Sequence, residues 1–248
     1  MRSLVYGFGI LLSISTPAVS EITWREGYFN PAPLNGDLVL PMPCGGAMTF
    51  RRVDTPNFDG AIGDVSVTLG QEGNAQPYLN GLRRAYVSGA FSDDGDLSKT
   101  AKGYFFLGKY ELAQAQYDAV IQPACPEKAP RKRAFIPATS LTKLELEGFA
   151  ENYTTWLMAL EGNPLPTAGS TQGYIRLPTE QEWEFGVRGG LAVENALFRA
   201  PLPPIPAGGD YSEYIAHGGT ESAGGKVQVI GTLKPNELGL HDMLGNAS

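Results

Sequence analysis

The clearest pattern of apolar and polar positions predicts a short helix within residues 176–190. Thr179 stands where an N-cap is expected, and Glu182, three residues later, completes a capping box. Trp183 and Val187 share one face of this helix at i,i+4 spacing, and two glycines follow as a left-handed stop. Local chemistry alone therefore predicts both ends of the helix.

Two further helices follow from apolar spacing and residue propensity. Between Ser140 and Gly162, apolar side chains recur every three or four residues, which predicts a helix with one buried face. A shorter helix is predicted at 111–121, where alanine and glutamine favour helical backbone. Alternating or aromatic runs predict strands at 37–40, 47–53, 65–69, 104–110 and 227–231.

Residues 71–100 are polar and glycine-rich, and the segment at 191–225, rich in proline and glycine, predicts a long ordered loop. Residues 93–96 hold three carboxylates that could bind calcium, but the other ligands of a calcium-binding loop are absent from this segment, so a solvated loop is favoured. No internal repeat divides the chain, and residues 21–248 are predicted to form one domain.

Residues 1–20 have the three regions of a secretory signal peptide. Arg2 is the one charged residue, an apolar run covers residues 4–12, and small residues precede Glu21. A membrane anchor is the alternative, but the apolar run is shorter than the roughly 20 residues that a spanning helix needs. We expect cleavage before Glu21, a periplasmic or secreted protein, and no stable membrane insertion afterwards.

Charge and cysteine content narrow the classes of partner and site. The formal net charge of −7 makes nucleic acid and anionic membrane surfaces unfavourable partners. Cys44 and Cys125 lie 81 positions apart, and a single structural disulfide is expected in an oxidising compartment. Reactive thiols or metal ligands are the alternative, but the two cysteines and two histidines of the chain show no zinc-ligand spacing.

Four segments, in the same order along the chain, resemble the formylglycine-generating enzyme family, also called sulfatase-modifying factor domains. They are FFLGKYELAQAQY at 105–117, PATS at 137–140 with the aromatic helix after it, RLPTEQEWEF at 176–185, and NELGLHDMLGN at 236–246. In the family patterns, a threonine usually replaces Ala113 and a tyrosine usually replaces His241. Four ordered motifs are far more specific than any one of them.

The resemblance implies an α+β fold related to C-type lectins, poor in regular secondary structure and held partly by calcium. Catalytic members of the family are copper-dependent oxidases that convert a substrate cysteine to formylglycine. Relatives perform iron-dependent sulfoxide chemistry or act in siderophore maturation. Exported non-catalytic relatives include a periplasmic accessory protein of type VI secretion.

The departures from the family pattern limit what the resemblance implies about activity. The family's catalytic cysteine pair comes well after the G-N motif, and this sequence reaches Ser248 before the W-E-W that normally follows. We therefore expect a C-terminally incomplete domain without catalytic residues, in which copper would be a cofactor only if a later cysteine pair exists. Cys44 and Cys125 do not match the catalytic positions.

One metal site follows from the resemblance. Asp242 and Asn246, with the backbone of Gly245 and Ala247, match a family loop that wraps calcium with oxygen ligands. The glutamate that would complete this loop is absent. A turn-capping role for Asp242 is an equally good interpretation, because aspartate is common in turns that contain glycine.

Three functions remain as hypotheses. The favoured one is an exported, non-catalytic domain that binds a protein partner in the cell envelope, for example as a type VI secretion accessory regulator. The second is a copper-dependent or related non-haem metal oxidase whose catalytic C-terminus is missing. The third is a lectin-like glycan binder that stacks sugars on Trp24, Trp156 or Trp183, although the latter two are expected in the core because they lie on helical stripes.

Overall fold

Short helices and short antiparallel strands are joined by long connections, as the α+β prediction requires. The computed structural model describes residues 22–55, 65–70, 81–93, 103–206, 209–217 and 224–247. Its strands are β1 (Leu38–Met42), β2 (Gly46–Asp54), β3 (Val65–Leu69), β4 (Arg83–Val87), β5 (Tyr104–Gly108), β6 (Thr167–Ala168) and β7 (Thr171–Gln172). Its α-helices are α1 (Glu26–Phe29), α2 (Gln114–Ile121), α3 (Lys143–Ala159), α4 (Glu180–Val187) and α5 (Asn195–Phe198).

Some predictions concern residues that the structure does not describe. The signal peptide predicted at 1–20 and residues 94–96 of the acidic segment lie outside the described residues. Asp93 of that segment forms an ion pair with Arg52 of β2. Within the described residues, no helix has both the length and the apolar character needed to cross a membrane.

A three-stranded antiparallel sheet, in the order β1-β2-β5, lies at the centre of the described residues. Leu40 of β1 lies opposite Met48 of β2, and Phe50 of β2 lies opposite Gly108 of β5. Because side chains alternate between the faces of a sheet, these four positions share one face. That face packs against α3 in a cluster of buried side chains: Leu40, Met42, Phe50, Phe149, Tyr153, Leu157 and Leu165.

The opposite face of the sheet packs against α4 and the β3-β4 hairpin. Val53 of β2 and Leu107 of β5 belong to one buried cluster with Phe185 of α4. Leu69 of β3 and Val87 of β4 are members of the same cluster. Apolar side chains therefore cover the sheet on both faces.

The predicted strands at 37–53, 65–69 and 104–110 are present, with local differences. β1 continues through Pro41 because it is an edge strand, where a missing N–H removes no ladder hydrogen bond. β4 lies within residues 71–100, where the sequence predicts no strand. The exposed residues Arg84 and Tyr86 alternate there with a buried alanine and valine. The alternation is not a clear apolar–polar pattern, because the small alanine is inside and the aromatic tyrosine is outside.

The strand predicted at 227–231 is absent. Its N–H groups do not join a ladder with another described strand. Gln228 donates to the side chain of Asn246, and Ile230 donates to the carbonyl of Phe135. Single hydrogen bonds to separate segments therefore replace strand pairing.

The helices begin where capping chemistry places them. Thr142 and Glu145 form a capping box at the start of α3. Thr179 and Glu182 form the predicted box at the start of α4, with hydrogen bonds of 2.8 and 3.2 Å. α2 begins at Gln114, three residues later than predicted, because the residue before it has an extended backbone.

Trp183 corrects one prediction about the core. Its side chain was expected to be buried with Val187, but it is 39% exposed, whereas Val187 is 4% exposed. The buried face of α4 instead includes Glu182, whose carboxylate is bound by Arg176. A buried carboxylate, paired with a partly exposed arginine, thus occupies a position that apolar periodicity alone would not assign to the core.

Lys109, directly after β5, is fully buried. Its ammonium group lies 2.6 Å from Asp37 and 3.3 Å from Asn30, and it also donates to the carbonyl of Ala32. Burial opposes the charge on Asp37, but hydrogen bonds from Lys109, the Leu34 N–H and other donors hold its pKa below the ordinary value. The lysine is therefore paired with a carboxylate that stays ionised.

The backbone of Lys109 connects two more segments. Its N–H donates to the carbonyl of Thr49 in β2 at 2.9 Å, and its carbonyl accepts from His241 near the end of the chain at 2.9 Å. One residue thus joins the N-terminal region, the central sheet and the last turns.

We expect Lys109→Met to lower the free energy of unfolding by about 1–3 kcal/mol, because it removes one of the two cations that pair with the buried side chain of Asp37 and leaves Arg51 at 3.1 Å. Urea denaturation would measure this change. Lys143→Met, at an exposed position of α3, is the control and should change stability by less than about 0.5 kcal/mol. Similar midpoints for Lys109→Met and the unchanged protein would contradict the prediction.

The disulfide expected between Cys44 and Cys125 is present in the structure. It joins the turn after β1 to the loop after α2. Closing a loop of 81 positions restricts the unfolded chain. This restriction contributes on the order of 4 kcal/mol to stability.

Reduction of this disulfide is therefore expected to lower the free energy of unfolding by about 4 kcal/mol. Urea denaturation with and without dithiothreitol tests this, with tryptophan fluorescence as the signal. The double variant Cys44→Ala/Cys125→Ala is the control, because its midpoint should not respond to the reductant. Equal midpoints for the oxidised and reduced protein would show that the cross-link is not stabilising.

Candidate functional site

A cavity of about 540 Å³ lies beside β5 and is called the β5 cavity below. Its size falls within the range of small-molecule sites in proteins, about 300–1,000 Å³. The sheet and α3 supply most of an apolar wall: Leu38, Leu40, Met48, Phe50, Phe106 and Phe149. The segment from the β6-β7 hairpin to α4 supplies the facing wall.

Polar groups gather at one end of the β5 cavity. Glu111, which follows β5 by three residues, accepts hydrogen bonds from the amide of Asn246 at 2.7 Å and from the N–H of Ala247 at 3.2 Å. Asp242 and His241 line the same end. Glu111 thus attaches the chain's last described turn to the segment that follows β5.

Burial changes the protonation of both carboxyl groups. It raises the pKa of Glu111 to about 7, against the hydrogen bond from Asn246, and the nearby Asp242 adds to the increase. Burial also raises the pKa of Asp242, against a hydrogen bond from the N–H of Gly231. Near neutral pH, the carboxyl group of Glu111 therefore exists in both protonation states.

His241 stays neutral in this environment. Burial lowers its pKa, and its ring stacks on Tyr110 with centroids 4.9 Å apart. Nδ1 lies 2.8 Å from the carbonyl of Leu233, so we assign the proton of the neutral ring to Nδ1. Nε2 is buried and has no hydrogen-bond partner within the described residues.

The lining of the β5 cavity also includes an ion pair and two exposed aromatic rings. Arg176 binds Glu182 through both carboxylate oxygens, at 2.5 and 2.8 Å. Burial opposes the charge of Glu182, but Arg176 and the capping contacts of Thr179 hold its pKa below the ordinary value. Tyr174 is 64% exposed and Trp183 is 39% exposed, and both line the cavity.

The residues predicted to bind calcium lie in one turn, where both have positive φ angles. Asp242 accepts from the N–H of Gly231 at 2.6 Å, and the Asn246 side-chain oxygen accepts from the N–H of Gln228 at 2.8 Å. The described residues contain no group of three or more His, Cys, Asp or Glu side chains that could hold a metal. These oxygens accept hydrogen bonds from the segment at 228–231, and calcium binding stays a prediction.

Glu111 is the site residue that sequence reasoning missed. It belongs to the first family-like motif, and Asn246 belongs to the last, 135 positions away. The sequence does show a carboxylate in one motif and an amide in the other, which can form a hydrogen bond. Their contact could not be foreseen, because spacing along the chain does not reveal which motifs meet.

Both cysteines of the chain form the disulfide, so neither is a free thiol. Both carboxylate oxygens of Glu111 already accept hydrogen bonds. The β5 cavity offers an apolar wall, an acidic end and an aromatic rim.

We expect Glu111→Gln to alter the pH dependence of stability. Folding favours the protonated form of Glu111, because its folded pKa, about 7, lies above the unfolded value. The stability that this group contributes is therefore fully present below the unfolded pKa and is lost as the pH rises to 7. Between pH 4.5 and pH 8, the free energy of unfolding of Glu111→Gln should rise by up to about 3 kcal/mol relative to that of the unchanged protein. Urea denaturation in EDTA measures this, Glu151→Gln on the exposed side of α3 is the control, and parallel pH profiles would contradict the expectation.

Comparison with known proteins identifies the family. A family model described as a sulfatase-modifying factor enzyme 1-like domain matches residues 87–248, which is more than half of the chain. Among solved structures, PvdO from Pseudomonas aeruginosa is 19% identical, with a TM-score of 0.49 over 86% of this chain and 72% of that chain. CarF is 18% identical, with a TM-score of 0.43 over 78% of this chain and 76% of that chain. No curated protein matches the chain. By the match to its family model, the chain belongs to the sulfatase-modifying factor enzyme 1-like, or formylglycine-generating-enzyme-like, family.

Proposed function

We propose that the chain is an exported formylglycine-generating-enzyme-like domain that acts by binding a protein partner in the cell envelope, for example as a type VI secretion accessory regulator. In the form given, it does not oxidise cysteine. The observation that carries this proposal is the Cys44–Cys125 disulfide, which uses both cysteines and leaves no thiol pair to bind copper. The signal-like residues 1–20 support export.

The β5 cavity supports a binding role. Its wall is mainly apolar, and exposed aromatic rings stand at its rim. Tyrosine and tryptophan are enriched in protein interfaces because they bury a large area with few rotatable bonds. Tyr174 and Trp183 therefore provide anchors for a partner.

The absence of cysteine oxidation is directly testable. The purified chain is incubated with a cysteine-containing peptide, a copper salt, a thiol reductant and oxygen, and the peptide mass is followed. We expect no conversion to formylglycine above the rate without protein, and no difference between the chain and its Cys44→Ala/Cys125→Ala variant. Conversion that depends on the chain would support an oxidase and would end this proposal.

Partner binding is tested in intact cells with a photo-crosslinking amino acid. Placed at Trp183, it should give a discrete adduct in the envelope fraction, because that ring stands at the cavity rim. Placed at Tyr86, which is also exposed but lies on β4, it should not. Adducts of equal yield from both positions would indicate non-specific contact.

A lectin-like glycan binder is the second candidate, and the exposure of Trp183 favours it. Trp24 is 4% exposed, so it is not available for stacking on a sugar. Glycan-array binding that is lost in Trp183→Ala and in EDTA would support this candidate. The envelope-partner proposal requires neither effect.

A further inference from the structure

A short loop after α2 carries the densest run of positive charge in the chain. Residues 126–133, called the basic loop below, hold four basic residues within six positions and one acid, Glu127. The basic residues are Lys128, Arg131, Lys132 and Arg133. Every residue of the loop except Pro130 is exposed. Because the whole chain has a formal net charge of −7, the loop has the opposite sign to the chain that carries it.

The basic loop is fixed at both ends. Cys125 precedes it and forms the disulfide with Cys44. Phe135 follows it and is fully buried. The ring centroid of Phe135 lies 5.4 Å from that of Trp24 and 5.6 Å from that of Tyr28. The chain therefore enters the loop at a cross-link and leaves it into the core.

Hydrogen bonds order the part of the loop that holds three consecutive cations. Lys132–Ala134 form one turn of 3-10 helix. The N–H of Ala134 donates to the carbonyl of Arg131 at 2.8 Å, and the N–H of Phe135 donates to the carbonyl of Lys132 at 3.0 Å. These cations thus project from an ordered backbone.

Arg25 adds a fifth cation beside the basic loop. Its guanidinium carbon lies 5.5 Å from the centre of the Tyr28 ring, and that ring packs against Phe135. Arg25 is exposed, and so is the neighbouring acid Glu26. Within the described residues, none of the five cations forms an ion pair. Their charges are therefore available to an external anion.

The side-chain chemistry of the basic loop favours carboxylates as ligands. Arg131 and Arg133 carry planar guanidinium groups, which bind a carboxylate through two parallel hydrogen bonds. Clusters of arginine recognise acidic segments of proteins in this way. A backbone that is already ordered lowers the entropy cost of such binding.

The charge of the remaining chain limits the size of the anion. Interactions between exposed charges are screened beyond about 8 Å at physiological ionic strength. A short acidic segment meets mainly the basic loop within that distance, whereas a wide anionic lipid surface also approaches other parts of a chain that is acidic overall. The observations therefore favour a peptide segment over a membrane.

We propose that the basic loop and Arg25 bind an acidic segment of a partner protein, in which several aspartate or glutamate side chains lie close together. Arg131 and Arg133 bind its carboxylates, and the other cations supply additional positive charge. None of these residues lines the β5 cavity, so the loop is a second contact surface. The inference rests on the proposed function for the presence of a protein partner, and it specifies the chemistry of that partner.

Short fluorescein-labelled peptides test the proposed ligand. Each peptide contains a cluster of aspartate and glutamate, and each has a counterpart with asparagine and glutamine in their place. At about 0.15 M salt, we expect the acidic peptides to bind about tenfold more tightly than their amide counterparts by fluorescence anisotropy. Equal affinities, or no binding by any acidic peptide, would overturn the inference.

Removal of charge locates the site on the protein. Lys132→Gln/Arg133→Gln should weaken binding of the acidic peptides about fivefold, because two of the proposed contacts are lost. Arg84→Gln/Lys143→Gln removes two exposed cations from β4 and α3 and is the matched control, with an expected change of less than about twofold. Similar losses in both variants would show that affinity follows net charge and would contradict the assignment to the loop.

The disulfide provides a test that leaves every charge in place. Cys44→Ala/Cys125→Ala frees the start of the basic loop, so binding should weaken about threefold through the added cost of ordering it. A general attraction between the chain and anions would not respond to this change. Unchanged affinity would contradict the role of the fixed backbone, and the charge variants test the loop independently if this variant does not fold.

Vesicles distinguish a lipid surface from a protein partner. In co-sedimentation at the same salt concentration, we expect the chain to bind phosphatidylglycerol vesicles no more tightly than phosphatidylcholine vesicles. Strong binding to phosphatidylglycerol that Lys132→Gln/Arg133→Gln abolishes would assign the basic loop to a membrane surface and would overturn the inference.

The failure of this inference is distinguishable from the failure of the proposed function. Absence of peptide binding, together with a discrete crosslink from Trp183, would overturn the role of the basic loop and keep the envelope partner. Copper-dependent conversion of the cysteine peptide would end the proposed function while leaving a measured peptide affinity at the loop in place.

Discussion

The buried ion pair between Lys109 and Asp37 is the constraint on which the rest of the structure depends. A charge with no exposed surface is tolerated only when its hydrogen bonds are satisfied, so the N-terminal residues around Asp37 are held against the end of β5. The same lysine bonds through its backbone to β2 and to His241. Hydrogen bonds and an ion pair of Lys109 therefore hold the sheet, the N-terminal segment and the last turns against one another.

The position of the last turns gives the β5 cavity both carboxyl groups and an apolar surface. His241 is fixed by the carbonyl of Lys109, and the residues after it bring Asn246 to Glu111. Carboxyl groups are thereby gathered at one end, while the sheet and α3 leave an apolar surface along β5. The resulting site combines apolar and acidic lining residues beside β5. Within the described residues, the backbone groups of Phe106 and Gly108 have no strand partner on the side away from β2.

Local chemistry explains which parts of the structure could be predicted from the sequence. The start of α4 was predictable because Thr179 and Glu182 act on neighbouring backbone, and the alternation around Met48 and Phe50 is a local pattern as well. Contacts between distant segments were not predictable. Burial of Glu182 depends on Arg176, and the role of Glu111 depends on a residue 135 positions away. The pattern at 227–231 predicts a strand, but no other described strand lies beside this segment to pair with it.

The match to the family begins at residue 87, whereas the described core begins much earlier. Two of the three central strands, one cysteine of the disulfide and the counter-ion of Lys109 all precede residue 87. A shortened protein that starts at the family boundary would expose both edges of β5 and bury a lysine without its aspartate. The region that the family model matches is thus not a unit of folding by itself, and the preceding residues act as an internal scaffold for the motifs within it.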